Sequence, residues 1–152
     1  MNQEKEFFFE IIKAYQKQNI NLPQRKTFFS AGYDLASAET ITITPQQIVL
    51  IPTGIKAYFP SNKVLLIYAR SSLILKKKLM LANNVGIIDH DYYNNSQNEG
   101  HIFIPLLNLS SEIISVEKNE RIAQAILHDY YITKDDYLAI KQKRQNGFGS
   151  TD

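Results

Sequence analysis

Between residues 39 and 60 three prolines cut the chain into short apolar runs, and this punctuation constrains the fold more than any other feature. Residues 39–44 alternate β-branched and polar side chains with a period of two and stop at Pro45. Residues 48–51 form a run closed by Pro52, and residues 54–59 another closed by Pro60. Such alternation, rich in isoleucine and threonine, reads as strand. Runs at 64–68, 102–109, 112–116 and 122–127 repeat the pattern. Short β-rich segments separated by turn residues at even spacing predict an all-β sandwich or barrel. Residues 7–12 contain three consecutive phenylalanines and two isoleucines and read as a further strand, although 4–17 would also fit an amphipathic helix. One short helix is predicted over 71–78. It opens on Ser71 and Ser72 as N-cap candidates and ends on Lys76, Lys77 and Lys78, where the helix dipole favours cations.

A chain of 152 residues that is 44% hydrophobic is long enough for one domain with its own core. Seventeen basic against fifteen acidic residues leave a net charge of +2, too balanced for a chain that coats nucleic acid. The lysines at 76–78 read as a solvated helix end rather than a nucleic-acid patch. The absence of cysteine excludes disulfides, thiolate zinc sites and cysteine nucleophiles. His90, His101 and His128 stand too far apart to suggest metal-ligand spacing. No apolar run approaches the roughly 20 residues of a membrane span, and the polar start Met-Asn-Gln-Glu-Lys-Glu does not resemble a signal peptide. The expectation is a cytoplasmic protein without a membrane partner or stable nucleic-acid binding. Beyond Lys141 the chain is polar and loses periodicity, so it divides into a β domain over 1–140 and a flexible arm over 141–152.

Five segments carry groups suited to chemistry. Ala31-Gly32-Tyr33-Asp34-Leu35 sets a carboxylate after a glycine; alone it reads as a turn aspartate bonding its own backbone. Ala69-Arg70-Ser71-Ser72-Leu73 brings a guanidinium and two hydroxyls to the start of the helix, either as a phosphate site or as a capped helix with a surface arginine. Residues 83–92 are the densest. Asn83 offers both donor and acceptor to a base edge, Tyr92 offers a flat face, and Asp89 and Asp91 are spaced to bind a metal or orient a water; the plainer reading is a tight turn. Gln124, in Glu120-Arg121-Ile122-Ala123-Gln124, means little by itself. Residues 144–151 place Phe148 between Gly147 and Gly149 in the arm. There Phe148 could stack on a ring, Arg144 could meet an anion, and backbone N–H groups near Ser150 could cradle phosphate.

In this order the five segments resemble the five motifs of the homotrimeric deoxyuridine triphosphate nucleotidohydrolases (dUTPases), from about Leu22 to the C-terminus. The resemblance implies a distorted jelly-roll subunit of the β-clip type with one short helix, assembled as a homotrimer with active sites at subunit interfaces. It implies hydrolysis of dUTP to dUMP and pyrophosphate with Mg²⁺, which limits dUTP and supplies dUMP for thymidylate synthesis. By the same resemblance Asp89 activates the attacking water. Tyr92 lies under the deoxyribose and excludes a 2′-hydroxyl. Asn83 reads uracil with backbone groups of Gly86 and Ile88. Arg70, Ser71, Ser72 and Gln124 bind phosphate, and Asp34 acts near the metal through water. Phe148 covers the base, Arg144 reaches the γ-phosphate, and Gly149, Ser150 and Thr151 complete the phosphate cradle.

Two departures from the family pattern stand out. Its third motif commonly has glycine soon after the tyrosine, whereas here a polar insert runs from Tyr93 to Gly100. In its fifth motif Asn146 replaces the first of two glycines; asparagine is the residue other than glycine that best tolerates positive φ. Two rivals share features of the resemblance. A dCTP deaminase of the same fold would carry a glutamate where this chain has Pro105, three residues before Asn108. A regulatory role toward a protein partner would suit the 93–100 insert as a contact surface.

Overall fold

The computed structural model describes residues 6–149 and 151. Eleven strands and one α-helix are assigned among them: β1 (Phe8–Ile11), β2 (Tyr33–Ala36), β3 (Ile41–Ile43), β4 (Ile48–Pro52), β5 (Ile55–Tyr58), β6 (Lys63–Ala69), α1 (Ser71–Lys77), β7 (Leu79–Leu81), β8 (Gly86–Ile88), β9 (Phe103–Asn108), β10 (Ile114–Val116) and β11 (Arg121–Asp129). The expected all-β architecture with one short helix is the one observed. Residues 7–12 resolve to strand, and the proline-bounded runs become β3, β4 and β5. Three strands were not foreseen. β2, β7 and β8 have three or four residues each; β2 carries Asp34 of the first motif segment and β8 carries Gly86 of the third.

All pairings are antiparallel. The largest sheet runs β2-β11-β6-β8, a second runs β4-β9-β7, and the pairs β1-β5 and β3-β10 complete the fold. Alternate residues of these strands form a continuous apolar core; Leu35, Ile51, Leu65, Leu79, Ile104, Leu106 and Ile122 are fully buried within it. Burial of each such side chain is worth about 1.5–3 kcal/mol relative to exposure.

Two consequences of this topology position the functional segments. The turn from β7 to β8 passes between sheets, because β7 pairs with β9 while β8 pairs with β6. Residues 83–89 therefore stand at the mouth between two layers. The register of β11 sets Gln124 opposite Asp34 on one side and Tyr68 on the other. The first, second and fourth motif segments thus meet at one end of the large sheet.

The helix starts one residue earlier than its serines suggested. Arg70 is the N-cap in an extended conformation, Ser71 is the first helical residue, and no side chain caps the end. Its last turn carries Lys76 and Lys77, and Lys78 closes it in the left-handed region with its N–H on the Ile74 carbonyl at 3.0 Å.

Candidate active site

A cleft opens between the two sheets. Its walls come from Ile67 of β6, Asn83 of the β7–β8 turn, Gly86 and Ile88 of β8, Pro105 of β9, and the arm with Arg144 and Phe148. Asp89 and Tyr92 also line it. Gly86 is tightly placed: a Cβ there would lie 3.0 Å from the Ile67 Cβ and 3.6 Å from the Asn83 amide nitrogen. A Cβ at 86 would crowd Ile67 of the sheet and stand in ordinary contact with the amide that faces the cleft.

Asp89 leaves β8 extended and starts a single 3₁₀ turn over His90–Tyr92, its carbonyl accepting from the Tyr92 N–H at 3.1 Å. The turn is anchored by His90, whose Nδ1 bonds the Phe59 carbonyl at 2.6 Å. The Asp89 carboxylate is half exposed and open to the cleft. Tyr92 is buried, and its hydroxyl donates to the His101 carbonyl at 2.5 Å while accepting from Asn98 Nδ2 at 2.9 Å. Burial pushes the phenol up, against the smaller opposing pulls of the Asn98 hydrogen bond and the Arg144 charge, so the hydroxyl keeps its proton at neutral pH.

The arm closes this cleft. Arg144 spans both carboxylates of the 3₁₀ segment, with Nη2 2.6 Å from Asp89 Oδ2 and Nε 2.6 Å from Asp91 Oδ1. The spacing that made Asp89 and Asp91 a candidate metal or water site therefore serves to hold a guanidinium. Phe148 reaches the cleft from a left-handed backbone (φ +49°), a costly conformation for a side-chain-bearing residue. Gly147 sits against Tyr92: an added Cβ would lie 3.1 Å from the ring's Cε2.

A second cluster lies at the β2-β11 end of the large sheet. Asp34, largely buried, pairs with Arg70 Nε at 3.1 Å and Arg121 Nη1 at 3.3 Å. Arg70 Nη1 also donates to the Arg121 carbonyl at 3.1 Å. Gln124 Nε2 donates to the Ala69 carbonyl at 3.1 Å. Gly32 packs closely beside it: a Cβ there would stand 2.4 Å from Gln124 Oε1, so the amide would have to shift to admit one. Ser71 and Ser72 follow Arg70 on the first turn of α1.

The structure thus collects the named residues into two groups. Asn83, Gly86, Ile88, Asp89, Tyr92, Arg144 and Phe148 share the cleft, whereas Asp34, Arg70, Ser71, Ser72 and Gln124 lie outside its lining. Gly149 and Thr151 follow Phe148 on the exposed arm, and Ser150 lies outside the described residues. Arg121 was not foreseen as a site residue, and Asp91 was weighed only as the partner of Asp89 in a metal or water site. The two-residue spacing from Asp89 was the only signal for Asp91, and Arg121 becomes visible only once β11 is paired with β2.

Among the described residues no three His, Cys, Asp or Glu side chains converge as a metal cage. Asp34 has both oxygens on arginines. Among the described residues no helix is long and apolar enough to cross a membrane.

The protein-family model described as dUTPase matches residues 18–152. The deoxyuridine 5'-triphosphate nucleotidohydrolase of Lactococcus lactis subsp. lactis (strain IL1403) is 46% identical over 143 residues, covering 94% of this chain and 95% of that protein. The enzyme of the same name from Finegoldia magna is 36% identical over 145 residues, covering 92% and 97%. Among solved structures, a dUTPase from Streptococcus mutans superposes with a TM-score of 0.80 at 44% identity, over 84% of this chain and 98% of its own. A mutant dUTPase from phage phi11 of S. aureus, solved with attention to a structural Mg(II) ion, gives a TM-score of 0.70 at 21% identity, over 91% and 96%.

Proposed function

The chain belongs to the dUTPase family, and on that premise we propose that it hydrolyses dUTP to dUMP and pyrophosphate, with Asp89 activating the water that attacks the α-phosphorus. The observation that carries this reading is the convergence on one cleft of a polar base reader, a buried tyrosine face, an open carboxylate and an aromatic-bearing arm.

Uracil enters between the two sheets, where Asn83 and the backbone of Gly86 and Ile88 meet its edge. The close fit of Gly86 on Ile67 keeps this wall rigid and leaves no slack for a thymine methyl. The deoxyribose lies on Tyr92, whose ring is fixed by bonds to His101 and Asn98 and denies space to a 2′-hydroxyl. Phe148 covers the base. The triphosphate meets Arg70, Ser71, Ser72 and Gln124, with Gly149, Ser150 and Thr151 of the arm closing over it. Arg144 passes from Asp89 toward the γ-phosphate, which frees the carboxylate to take a proton from water. Positioned general bases of this kind contribute roughly 10²–10⁴-fold, and fixed positive groups stabilise the charge that develops on phosphate. Mg²⁺ carried by the triphosphate fits this donor set and offsets phosphate charge when bound, with Asp34 facing its water shell.

We further infer a homotrimer in which the cleft of one subunit meets the arginine–serine cluster of another. The separation of the two groups within one chain supports it.

The deaminase reading finds no support at its key position. Pro105 lines the cleft and has no proton to transfer. Asn108 is consumed structurally, donating to the Ile43 carbonyl at 2.9 Å and accepting from Ser110. The test is release of pyrophosphate from dUTP, UTP, dCTP and dTTP in parallel with Mg²⁺, with the nucleotide product identified. Turnover of dUTP alone to dUMP is expected. Ammonia and a uracil nucleotide from dCTP would overturn the proposal.

A further inference from the structure

The two departures of this sequence from the family pattern touch one another. Asn146 Nδ2 donates to Gln97 Oε1 at 2.8 Å, and Asn146 Oδ1 accepts from Asn98 Nδ2 at 2.9 Å and from the Gly147 N–H at 2.8 Å. Gln97 and Asn98 belong to the 93–100 insert. Asn98 Nδ2 donates again to the Tyr92 hydroxyl, and its Oδ1 accepts from Asn95 Nδ2 at 2.6 Å and the Gly100 N–H at 3.0 Å. The Tyr92 hydroxyl gives its own proton to His101, so it must accept from Asn98. With both donor and acceptor capacity engaged, the Asn98 amide is fixed in one orientation.

The insert itself is fastened down. Asn95 is buried, the Glu99 carboxylate bonds Lys56 Nζ and the Lys13 N–H, and the Tyr93 hydroxyl bonds Glu10. It therefore offers the arm a rigid surface. The arm needs one, because the two residues after Asn146 are Gly147, pressed on the Tyr92 ring, and Phe148, held at positive φ. A glycine at 146 could make none of the three side-chain bonds.

We propose that Gln97 and Asn98 are positioning residues that form a dock for the C-terminal arm, engaged by Asn146, and that this dock sets how firmly Phe148 and Arg144 close on the cleft. Its effect on nucleotide binding rests on the function proposed above; the dock itself does not. The sequence contains no tryptophan, so Phe148→Trp supplies a single fluorescent reporter on the arm, titrated with α,β-imido-dUTP. In that background Asn146→Gly should raise Kd roughly five- to thirtyfold, the equivalent of two or three neutral hydrogen bonds. Gln97→Ala should raise it roughly two- to fivefold, and the double variant should be no worse than Asn146→Gly alone. Asn98→Asp, which keeps the acceptor contacts and loses both donor contacts, should behave like Asn146→Gly. With the native Phe148, KM for dUTP should rise in these variants more than kcat falls. An unchanged Kd in Asn146→Gly, or costs that add fully in the double variant, would overturn the dock. If the parent protein binds no analogue, the proposed function fails. The dock is then decided by amide hydrogen exchange over residues 144–149 of the free protein: faster exchange in Asn146→Gly and Gln97→Ala upholds it, and unchanged exchange overturns it.

Discussion

At the scale of single residues, each chemical role depends on a neighbour that fixes a side chain. Asp89 is held by the 3₁₀ turn behind it and faced by Arg144 in front. Asp89→Asn retains the size and most hydrogen bonds but cannot take a proton. Turnover of dUTP should fall roughly 10²–10⁴-fold while α,β-imido-dUTP still binds; near-parental kcat would remove Asp89 from the role. Gly32 is a less obvious case. A Cβ would overlap Gln124 Oε1 at 2.4 Å and touch its Cβ at 3.1 Å. Gly32→Ala must therefore push Gln124 off the Ala69 carbonyl, at a cost of about 1–3 kcal/mol in stability by overpacking. Calorimetric unfolding would show that loss, and kcat/KM should fall with it. Most of these residues were legible in the sequence because their motifs are local strings. Arg121 on Asp34 and Asn98 under Tyr92 were not. The first contact spans the β2-β11 pairing and the second depends on the path of the insert, and neither has a local sequence signature.

At the scale of elements, the strands read correctly were those with alternation or proline boundaries. β7 and β8 escaped for a physical reason. Leu79-Met80-Leu81 has no β-branched residue, and β8 begins with a glycine, so local propensity is weak and long-range pairing to β9 and β6 decides the conformation. The insert shows a similar dependence on context: in the fold Asn95 and Gly100 are buried, whereas Asn94, Ser96 and Gln97 stay exposed. His101, at its end, is buried, with Nε2 accepting from the Gly54 N–H at 2.9 Å. Burial lowers its pKa from 6.5 to about 4, against the opposing charges of Glu39 and Glu99. Between these values the unfolded chain holds the extra proton, so stability is full above pH 6.5 and declines as pH falls toward 4. The slope of one proton is about 1.4 kcal/mol per pH unit. Glu99 is driven up by burial, but the hydrogen bonds and charges of Lys56 and Lys13 outweigh this and hold it below 4.5. Its contribution is therefore lost only at still lower pH. Denaturation midpoints in urea from pH 7.5 to 4.5 should fall for the parent protein and fall less for His101→Gln. Parallel slopes would mean that His101 is not the group responsible.

At the scale of the whole molecule, the distribution of apolar surface bears on assembly. Tyr131 and Ile140 are almost fully exposed, and Ile132 and Leu138 largely so, in the segment that leads from β11 into the arm. A cluster of large apolar side chains left in water marks an interface, and the proposed trimer would cover it. The cleft and the arginine–serine cluster lie on different parts of the same chain, and in the proposed trimer a complete site takes two subunits, one giving Asp89 and another Arg70. This arrangement makes a quantitative prediction. Asp89→Asn and Arg70→Ala should each be nearly inactive. If the two are denatured together in equal amounts and refolded, half of the cleft-bearing subunits retain Asp89 and half of their neighbours retain Arg70. Independent mixing then leaves both intact at half of a half of the sites, so activity should recover to about a quarter of the parental value. Mixing the folded variants without denaturation should recover little if subunits exchange slowly. No recovery after refolding, with trimers shown by light scattering, would place the whole reaction within one subunit and assign the exposed segment at residues 131–140 to assembly alone.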